Sequence, residues 1–504
     1  MNELLARLPE LLAAHLGLTL AALSLGVLVS VPLGVAVTRF RRFEAPILGA
    51  ASVIQTVPSL ALLAFMVPLL SALGARGIGY FPALIALFLY SLLPVLRNTV
   101  TGLSGIDPAV IEAARGVGMT PTEQLLRVEL PLALPVIVAG VRTAAVWTVG
   151  TATLSTPVGA PSLGDYIFSG LQTQNHASIL IGCVAAALLA ITIDGLVRAL
   201  LAGVTDKRPR LVRLALAGLA LLAALALAPS VRAAFARGAA PVTIGAKTFT
   251  EQYILSRVLQ GRLSREAGLA ARTLDSLGST VAFDALAAGQ IDAYVDYSGT
   301  LWANVLHHAE PASRATVLRE VSRELEVKHG VVVAGALGFE NTYALAMRRS
   351  RAEQLGLRTI SDLAPHAGAL RIAGDYEIFQ RPEWRAVESA YALTFGDRRS
   401  MDPSLLYEAA RSGDVDVITA FSTDGRIAAY DLVLLEDDRG AIPPYDAMIL
   451  VSARFARDRP AALAALRGLA GTIDGDAMRR MNAAVDQQKQ SPAAVAERFL
   501  DGLR

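Results

Sequence analysis

Long apolar stretches fill the first half of the chain. Up to about residue 232, each stretch has roughly the 20 residues that a helix needs to cross a hydrocarbon core of about 30 Å. The predicted spans are 16–38, 46–73, 80–102, 132–155, 177–201 and 211–231. The pattern therefore predicts an N-terminal all-α polytopic membrane domain of about six transmembrane helices.

From residue 241 onward, short strand-like runs alternate with amphipathic helices. Residues 242–246 form the first predicted buried strand, and Thr248 and Glu251 have the spacing of a capping box that opens the next helix. Alternation of this kind predicts an α/β fold with a largely parallel sheet. The predicted boundaries are 1–232 for the membrane domain, 233–240 for a linker and 241–504 for the α/β domain.

A weak internal repeat divides the α/β domain. Residues 283–298 resemble residues 407–422, and each copy predicts a helix, a glycine cap, a strand and a final aromatic residue. Two similar halves indicate a bilobed binding domain. The aromatic residues, Tyr297 and Phe421, fall at the carboxyl ends of the predicted strands, where open α/β sheets bind ligands. The alternative is that the repeated unit is generic and that both rings belong to the core.

Composition narrows the functional classes. A chain of 504 residues is too long for one domain, and its single cysteine excludes an intramolecular disulfide. The net charge of +2 gives no indication of a nucleic-acid partner. The α/β half offers neither a metal-ligating cluster nor a convincing nucleophile–base pair, so we expect no catalytic residue, no metal and no cofactor.

Basic residues predict the orientation in the membrane. They cluster after the first span, around residues 97–127 and between the last two spans, whereas the opposite loops are nearly free of them. The N-terminus is therefore predicted to lie outside and segment 109–131 in the cytoplasm. The α/β domain is predicted to be periplasmic or extracellular, attached to a multi-pass protein of the cell (inner) membrane.

Segment 109–131 carries a spaced motif between two spans. It resembles the coupling loop of ATP-binding-cassette (ABC) importer permeases, which fits a groove on a cytoplasmic ATPase. The chain has no G-x-x-x-x-G-K-[ST] phosphate loop, so the resemblance implies that the ATPase is a separate subunit. The matching residues are Glu112, Ala113, Ala114, Gly118, Leu130 and Pro131.

The whole chain resembles a type I ABC importer permease fused to a periplasmic-binding-protein-like domain of the quaternary-amine uptake family. Such importers take up compatible solutes for osmoprotection, including glycine betaine, carnitine and choline. Besides the coupling loop, the resemblance rests on residues 245–253, 297–300, 339–345, 379–382, 421–425 and 443–446.

The family's ligand site transfers onto individual positions of this chain. The resemblance implies an aromatic box around a quaternary ammonium group, made of Tyr297, Tyr343, Phe421 and Tyr445. It implies polar contacts to a ligand carboxylate from Lys247, Thr300 and Arg381, with Asn341 beside the box. Aromatic faces suit a group that cannot donate N–H hydrogen bonds, and a carboxylate suits Arg and Lys. The family often has tyrosine where Phe421 stands, which leaves ligand choice open, and packing roles remain the alternative for these residues.

The sequence thus predicts a non-catalytic importer subunit for quaternary-ammonium solutes. The expected partners are a cytoplasmic ABC ATPase, a second copy of the permease, a small quaternary-amine ligand and the lipid bilayer. One alternative is the same transporter carrying ergothioneine or another betaine. A second alternative is an extracellular-ligand sensor or ligand-gated channel.

Overall fold

The computed structural model describes residues 2–73, 75, 77–173, 175–235, 241–308 and 312–503. The chain forms two compact units. The helical unit comprises Met1–Phe168 and Ala177–Gly238, and the α/β unit comprises Ser169–His176 and Ala239–Arg504. The predicted linker at 233–240 lies outside the described residues except for 233–235, which end a helix.

Helices account for nearly all of the first part of the chain. The α-helices are α1 (Asn2–Arg39), α2 (Glu44–Thr56), α3 (Ser59–Ala72), α4 (Tyr80–Ser104), α5 (Pro108–Gly116), α6 (Pro121–Gln124), α7 (Leu130–Ala152), α8 (Gly164–Gln172), α9 (His176–Thr205) and α10 (Pro209–Phe235). A π turn at Leu125–Glu129 makes α6 and α7 one continuous helix, which a 3₁₀ turn at Thr153–Val158 extends.

Five helices in the described residues are long and apolar enough to cross a membrane, and a bent pair makes a sixth candidate. The prediction of about six spans is therefore confirmed. The predicted span 46–73 is nevertheless not one straight helix, because α2 and α3 are bent by 99°. Val57, which precedes Pro58, has extended backbone angles (φ −68°, ψ 129°) that interrupt the helix, as residues before proline usually do.

The core of the helical unit lies where α1 and α7 pack against α4. Leu16, Val95 and Ala144 are fully or almost fully buried there. Between α7 and α9, Arg142 donates to Asp194 at 2.7 Å, and Arg198 donates to the same carboxylate at 2.6 Å. The one acidic side chain in this part of α9 is therefore paired with two cations, as a charge near apolar surroundings requires.

The α/β unit contains ten strands among its described residues. The strands are β1 (Val242–Lys247), β2 (Ala271–Leu277), β3 (Ala293–Tyr297), β4 (Val331–Glu340), β5 (Tyr343–Arg348), β6 (Arg371–Gly374), β7 (Asp397–Ser400), β8 (Val417–Phe421), β9 (Leu432–Leu435) and β10 (Asp446–Ser452). The helices are α11 (Thr250–Ala267), α12 (Ser279–Ala287), α13 (Ser298–Thr300), α14 (Arg314–Glu324), α15 (Arg349–Leu355), α16 (Ile360–Leu363), α17 (Pro382–Tyr391), α18 (Pro403–Ser412), α19 (Arg426–Ala429), α20 (Ala453–Asp458), α21 (Pro460–Arg467), α22 (Gly475–Asp486) and α23 (Pro492–Gly502).

Two five-stranded sheets form two lobes, so the bilobed prediction is confirmed. Their strand orders are β2-β1-β3-β10-β4 and β7-β6-β8-β5-β9. In each sheet the first three strands are parallel, and the fourth is antiparallel to both neighbours. The expected largely parallel sheet is therefore a mixed one. The reason is that β5 and β10 each enter their sheet directly from a strand of the other lobe.

The chain crosses between the lobes twice. It passes from β4 to β5 through Asn341 and Thr342, and it returns from β9 to β10 through residues 436–445. The backbone N–H of Asn341 donates to the carbonyl of Tyr445 at 2.9 Å, so the two crossings lie side by side. Below, lobe 1 denotes residues 241–340 and 446–503, and lobe 2 denotes residues 343–435.

The internal repeat extends to equivalent hydrogen bonds. In lobe 1 the carboxylate of Asp292 accepts the backbone N–H of Thr243 at 2.9 Å. In lobe 2 the carboxylate of Asp416 accepts the backbone N–H of Arg371 at 3.0 Å. The aspartate of each copy thus fixes the start of its strand, β3 or β8, beside the parallel neighbour.

The predicted capping box at Thr248 and Glu251 is wrong. Helix α11 begins at Thr250, its N-cap residue is Phe249, and no side chain caps it. Glu251 does not turn back to the helix end because its carboxylate is buried among side-chain donors from both lobes.

Candidate functional site

Five aromatic rings meet between the two lobes. Tyr343 pairs with Phe421 across β5 and β8, and their ring centroids are 4.9 Å apart. Tyr445 meets Tyr343 edge-on at 5.5 Å. From lobe 1, Phe249 stacks on Phe421 at 5.7 Å and lies 6.1 Å from Tyr297. The four rings of the predicted box are thus in one cluster, joined by Phe249, which we call the ring cluster.

Glu251 lies buried against this cluster with a carboxylate that accepts four hydrogen bonds. Tyr297 Oη donates at 2.5 Å and Asn341 Nδ2 at 2.9 Å. From the other side, Thr423 Oγ1 donates at 2.5 Å and Asn482 Nδ2 at 3.1 Å. Within the described residues, no basic side chain pairs with Glu251, and burial raises the pKa of its carboxyl group. The site therefore holds an acidic group whose charge the surrounding protein stabilises only by hydrogen bonds.

The phenol of Tyr297 is held in its neutral form. Burial, and then the adjacent Glu251 charge, raise the pKa of Tyr297 well above its usual value. The hydroxyl therefore keeps its proton, donates to Glu251 and accepts from Gln252 Nε2 at 3.2 Å. These bonds fix the plane of the ring.

At another edge of the ring cluster, Arg381 and Glu383 lie close together. Tyr445 Oη donates to Glu383 at 2.6 Å, and the guanidinium of Arg381 lies 5.6 Å from the ring centroid of Tyr343. Arg381 forms an ion pair with Glu377, and its Nη1 lies 3.8 Å from Glu383. In the described part of the chain, Arg381 Nη1 and Glu383 Oε2 are buried without a hydrogen-bond partner. This edge of the cluster can therefore still bind a polar group.

Lys247 lies beside the cluster, but its charge is already compensated. Its ammonium forms a buried ion pair with Asp296 and lies 5.8 Å from the ring centroid of Tyr297. Asp296 also accepts the hydroxyl of Tyr294 at 2.6 Å. Lys247 is thus brought to the site, where it anchors the carboxyl end of β3.

Thr300 lies in a short helix that begins directly after Tyr297 of the ring cluster. It is the last residue of α13, and it is buried. Ser298 in the same turn donates to the carbonyl of Pro444 at 2.8 Å and accepts the backbone N–H of Asp446 at 2.9 Å. These bonds attach α13 to both sides of Tyr445.

Several residues of this site are absent from the sequence-based prediction. Phe249 and Glu251 lie inside the motif 245–253. The motif alone does not show that these two residues belong to the site, because both also fit the start of a helix. Glu383 lies one position beyond the motif 379–382, and only its hydrogen bond from Tyr445 identifies it as a residue of the site. Asn482 is separated from Glu251 by 231 residues, so no local pattern could have paired them.

In the helical unit, the motif of segment 109–131 forms an exposed helix and turn. Helix α5 is capped by Asp107, whose side chain accepts the N–H of Ala109. Glu112 and Ala113 are exposed, whereas Ala114 is buried. Gly118 has a φ of +81°, a left-handed conformation that favours glycine. Segment 109–131 thus begins with a short helix, α5, which is followed by a glycine turn.

Behind this turn, a buried carboxylate attaches the neighbouring helices to each other. Glu129 accepts Arg39 Nη2 from the end of α1 at 2.6 Å and Gln124 Nε2 at 2.7 Å. Leu130 and Pro131 follow at the start of α7, where the N–H of Leu130 reaches the carbonyl of Leu125 across the π turn. Because proline has no N–H, this wider turn continues the helix past Pro131.

Two protein families match the two parts of the chain. Residues 240–502 match the family described as the substrate binding domain of the ABC-type glycine betaine transport system. Residues 26–211 match the binding-protein-dependent transport system inner membrane component.

Individual relatives cover the whole chain or its helical part. An ergothioneine transport permease/ergothioneine binding protein of Helicobacter pylori (strain G27) is 33% identical over 479 residues, 92% of this chain and 84% of the relative. A choline transport system permease protein of Bacillus subtilis (strain 168) is 50% identical over 180 residues, 36% of this chain and 80% of the relative. A crystal structure of a glycine betaine/carnitine/choline ABC transporter is 31% identical, covers 52% of this chain and 98% of that chain, and has a TM-score of 0.46.

Proposed function

Since the chain belongs to the family of ABC importers in which a membrane permease is fused to a substrate-binding domain of the glycine betaine type, we propose that it imports a quaternary-ammonium solute. The relatives are transport permeases and binding proteins, and the chain is a transporter subunit of the same kind. Lobes 1 and 2 close on the solute outside the membrane and release it to the helical unit.

The observation that supports this substrate class most strongly is the ring cluster with Glu251 against it. A trimethylammonium group cannot donate N–H hydrogen bonds, so aromatic faces are its natural partners, at roughly 0.5–2 kcal/mol per contact. Glu251 has no basic partner among the described residues, and a permanent cation would supply the missing positive charge. A ligand without a cationic group would leave that buried carboxylate uncompensated.

We assign the carboxylate end of a betaine to Arg381 in the first place. Its Nη1 is buried, lacks a hydrogen-bond partner within the described residues and lies at the edge of the ring cluster. Asn341, which donates to Glu251, supplies a further polar group beside the rings, and the buried Thr300 is assigned the same role because it follows Tyr297 closely in the chain. Lys247 contributes less directly, because Asp296 already balances its charge.

The primary candidates are glycine betaine, which the description of the matched family names, and carnitine and choline, which the names of related permeases contain. Ergothioneine is the second candidate. It is favoured by one observation: the relative that matches 92% of this chain, across both domains, is an ergothioneine transporter. Ergothioneine also joins a trimethylammonium group to a carboxylate, so it fits the same assignment of the rings and Arg381.

We further propose the organisation of the complete importer. The domains are a permease at 1–232 and a bilobed receptor at 241–504, joined at 233–240. The chain lies in the cell membrane with the receptor outside and segment 109–131 inside. A separate ATPase binds that segment, and two copies of the chain form the pathway, which gives two tethered receptors at high effective concentration.

Ligand binding to the full-length protein in detergent tests the substrate class. Calorimetry with glycine betaine, carnitine, choline and ergothioneine is expected to show saturable binding of at least one of them. Binding by choline alone would remove the role assigned to Arg381, because choline has no carboxylate. Binding of none of the four would contradict the proposal.

A neutral isostere tests the need for a positive charge. In 3,3-dimethyl-1-butanol, carbon replaces the nitrogen of choline without changing the shape. If choline binds, we expect the isostere to bind at least about tenfold more weakly, since it loses the cation–π contacts and the pairing with Glu251. Equal affinities would show that the site recognises shape alone.

Reconstitution with the cognate ATPase separates an importer from a sensor or channel. The importer predicts ATP hydrolysis that the bound solute stimulates and solute accumulation in proteoliposomes. A sensor or ligand-gated channel predicts neither, even with normal ligand binding.

A further inference from the structure

The two lobes also touch beside the ring cluster, where Thr423 and Asn482, the donors to one carboxylate oxygen of Glu251, meet. Helix α22 belongs to lobe 1, and its carboxyl-terminal part meets the segment 423–426 that follows β8 of lobe 2. Asn482 Nδ2 donates to the carbonyl of Thr423 at 2.9 Å, and Gln487 Nε2 donates to that of Gly425 at 2.5 Å. A Cβ atom at position 425 would lie 2.9 Å from the Cα of Ala483. The backbones are therefore in direct contact here, which requires closed lobes.

Buried charges from both lobes face each other at this contact. Asp486, at the end of α22, is buried and accepts Thr250 Oγ1 at 2.7 Å. From lobe 2, Asp424 pairs with Arg426 at 2.6 Å, and the guanidinium lies 4.0 Å from the ring centroid of Tyr407. Arg426 Nη1 has no hydrogen-bond partner in the described part of the chain.

The balance of charge at this contact is unfavourable for two ionised carboxylates. Arg426 donates to both carboxylate oxygens of Asp424, so Asp486 shares this cation with Asp424 and has no ion pair of its own with it. Lys489 is exposed, and its ammonium donates to the backbone carbonyl of Asp486 rather than to the carboxylate. Asp424, Arg426 and Lys489 are the charged groups that act on Asp486 among the described residues, with Thr250 as its hydrogen-bond donor.

Closure therefore changes the proton affinity of Asp486. Burial, and then the charge of Asp424, raise the pKa of Asp486 to about 7, while Arg426, Thr250 and Lys489 lower it by less. When the lobes separate, Asp486 loses Asp424 and returns to water, where an aspartate has a pKa of about 3.9. The closed form consequently binds a proton in the range where the open form has released it.

We propose that Asp486, Asp424 and Arg426 form a proton-sensitive latch that holds the lobes closed in acidic surroundings and releases them as the pH rises. The sign follows from the raised pKa of the closed form. Below about pH 4 both forms are protonated, so closure is at its most favourable and does not change with pH. From there to about pH 7, closure is disfavoured by up to about tenfold per pH unit, and above pH 7 the effect is constant.

A distance measurement on the ligand-free full-length protein tests the latch. Spin labels are placed at Val327→Cys in lobe 1 and Glu353→Cys in lobe 2, both exposed, in a Cys183→Ser background. The ratio of closed to open molecules is expected to be at least tenfold higher at pH 5 than at pH 8. Asp486→Asn, which cannot ionise, is expected to show at pH 8 a closed fraction at least as high as that of the unmutated protein at pH 5.

Asp476→Asn is the matched control, because it makes the same change in the exposed first turn of the same helix. It is expected to leave the pH dependence unchanged. Glu251 also titrates in the closed cleft, but it is the same in all variants, so the comparison at pH 8 isolates Asp486. If Asp486→Asn does not fold, Thr250→Val removes the donor that stabilises the ionised form and shifts the midpoint to higher pH.

Two results would overturn the latch: a closed fraction that is equal at pH 5 and pH 8, or an Asp486→Asn protein that matches the parent at pH 8. No ligand is used, so the outcome is independent of the substrate proposal. A protein that binds none of the four solutes can still show the latch, and one that binds them can lack it.

Discussion

At the scale of single residues, the site depends on aromatic side chains that are fixed by hydrogen bonds to buried carboxylates. Tyr297 donates to Glu251 and Tyr445 donates to Glu383. Tyr297 could be predicted from its place at a strand end, and Tyr445 only from the resemblance to the family. The carboxylates could not, because Glu251 also fits a capping box and its partner Asn482 is distant in sequence.

Tyr343 offers a clean test of the ring cluster, since it contacts both Phe421 and Tyr445. Tyr343→Ala is expected to weaken binding of a quaternary ammonium solute by about 2- to 30-fold, the equivalent of roughly 0.5–2 kcal/mol for one lost aromatic face. Tyr343→Phe keeps the face and is expected to bind within about twofold of the parent. Calorimetry measures the affinity of both proteins for the solute. An equal loss of affinity in both would mean that the hydroxyl, and not the ring, contributes to binding.

At the scale of elements, the helical unit shows which features a sequence pattern determines. The helix α5 and its turn follow from Asp107 as a cap and Gly118 as a left-handed residue, both visible locally. The 99° bend at Val57 and Pro58 could not be predicted, because no charged residue interrupts the predicted span 46–73 and proline also occurs inside single helices such as α4. Apolar length alone does not distinguish a straight span from a bent one.

The turn at Gly118 is expected to matter for coupling to the ATPase. Gly118→Ala places a Cβ atom on a residue with a φ of +81°, at about 1–2 kcal/mol, and is expected to shift the position of α5. We expect solute-stimulated ATP hydrolysis to fall several-fold in reconstituted vesicles, with solute binding unchanged.

Gly116→Ala is the control for this change, because position 116 is helical and has no atom within 4 Å of an added Cβ. It is expected to couple normally. If both variants couple normally, the conformation of the turn does not determine the contact with the ATPase.

At the scale of the whole molecule, the sequence predicted two domains of different character and a doubled α/β architecture. Constant spacing between the repeats revealed the doubling. The mixed sheets could not be predicted in the same way, because β5 and β10 owe their direction to crossings between lobes rather than to any local pattern. The interlobe contact of α22 likewise depends on tertiary packing alone.

Six spans make half of a transport pathway, so the proposed assembly contains two chains. Native mass spectrometry of the full-length protein is expected to give twice the chain mass of 53.0 kDa. Calorimetry is expected to give one solute site per chain and therefore two per assembly. A monomeric mass under conditions that support transport would contradict this arrangement.

The position of β10 has a consequence for biosynthesis. This strand lies between β3 and β4 in the sheet of lobe 1, yet it is the last of the described strands to leave the ribosome. Lobe 2 has all five of its strands before β10 is translated, whereas lobe 1 has a gap at its centre until then. Lobe 1 is therefore begun first and finished last, and lobe 2 is the only lobe with a complete sheet until β10 has been translated.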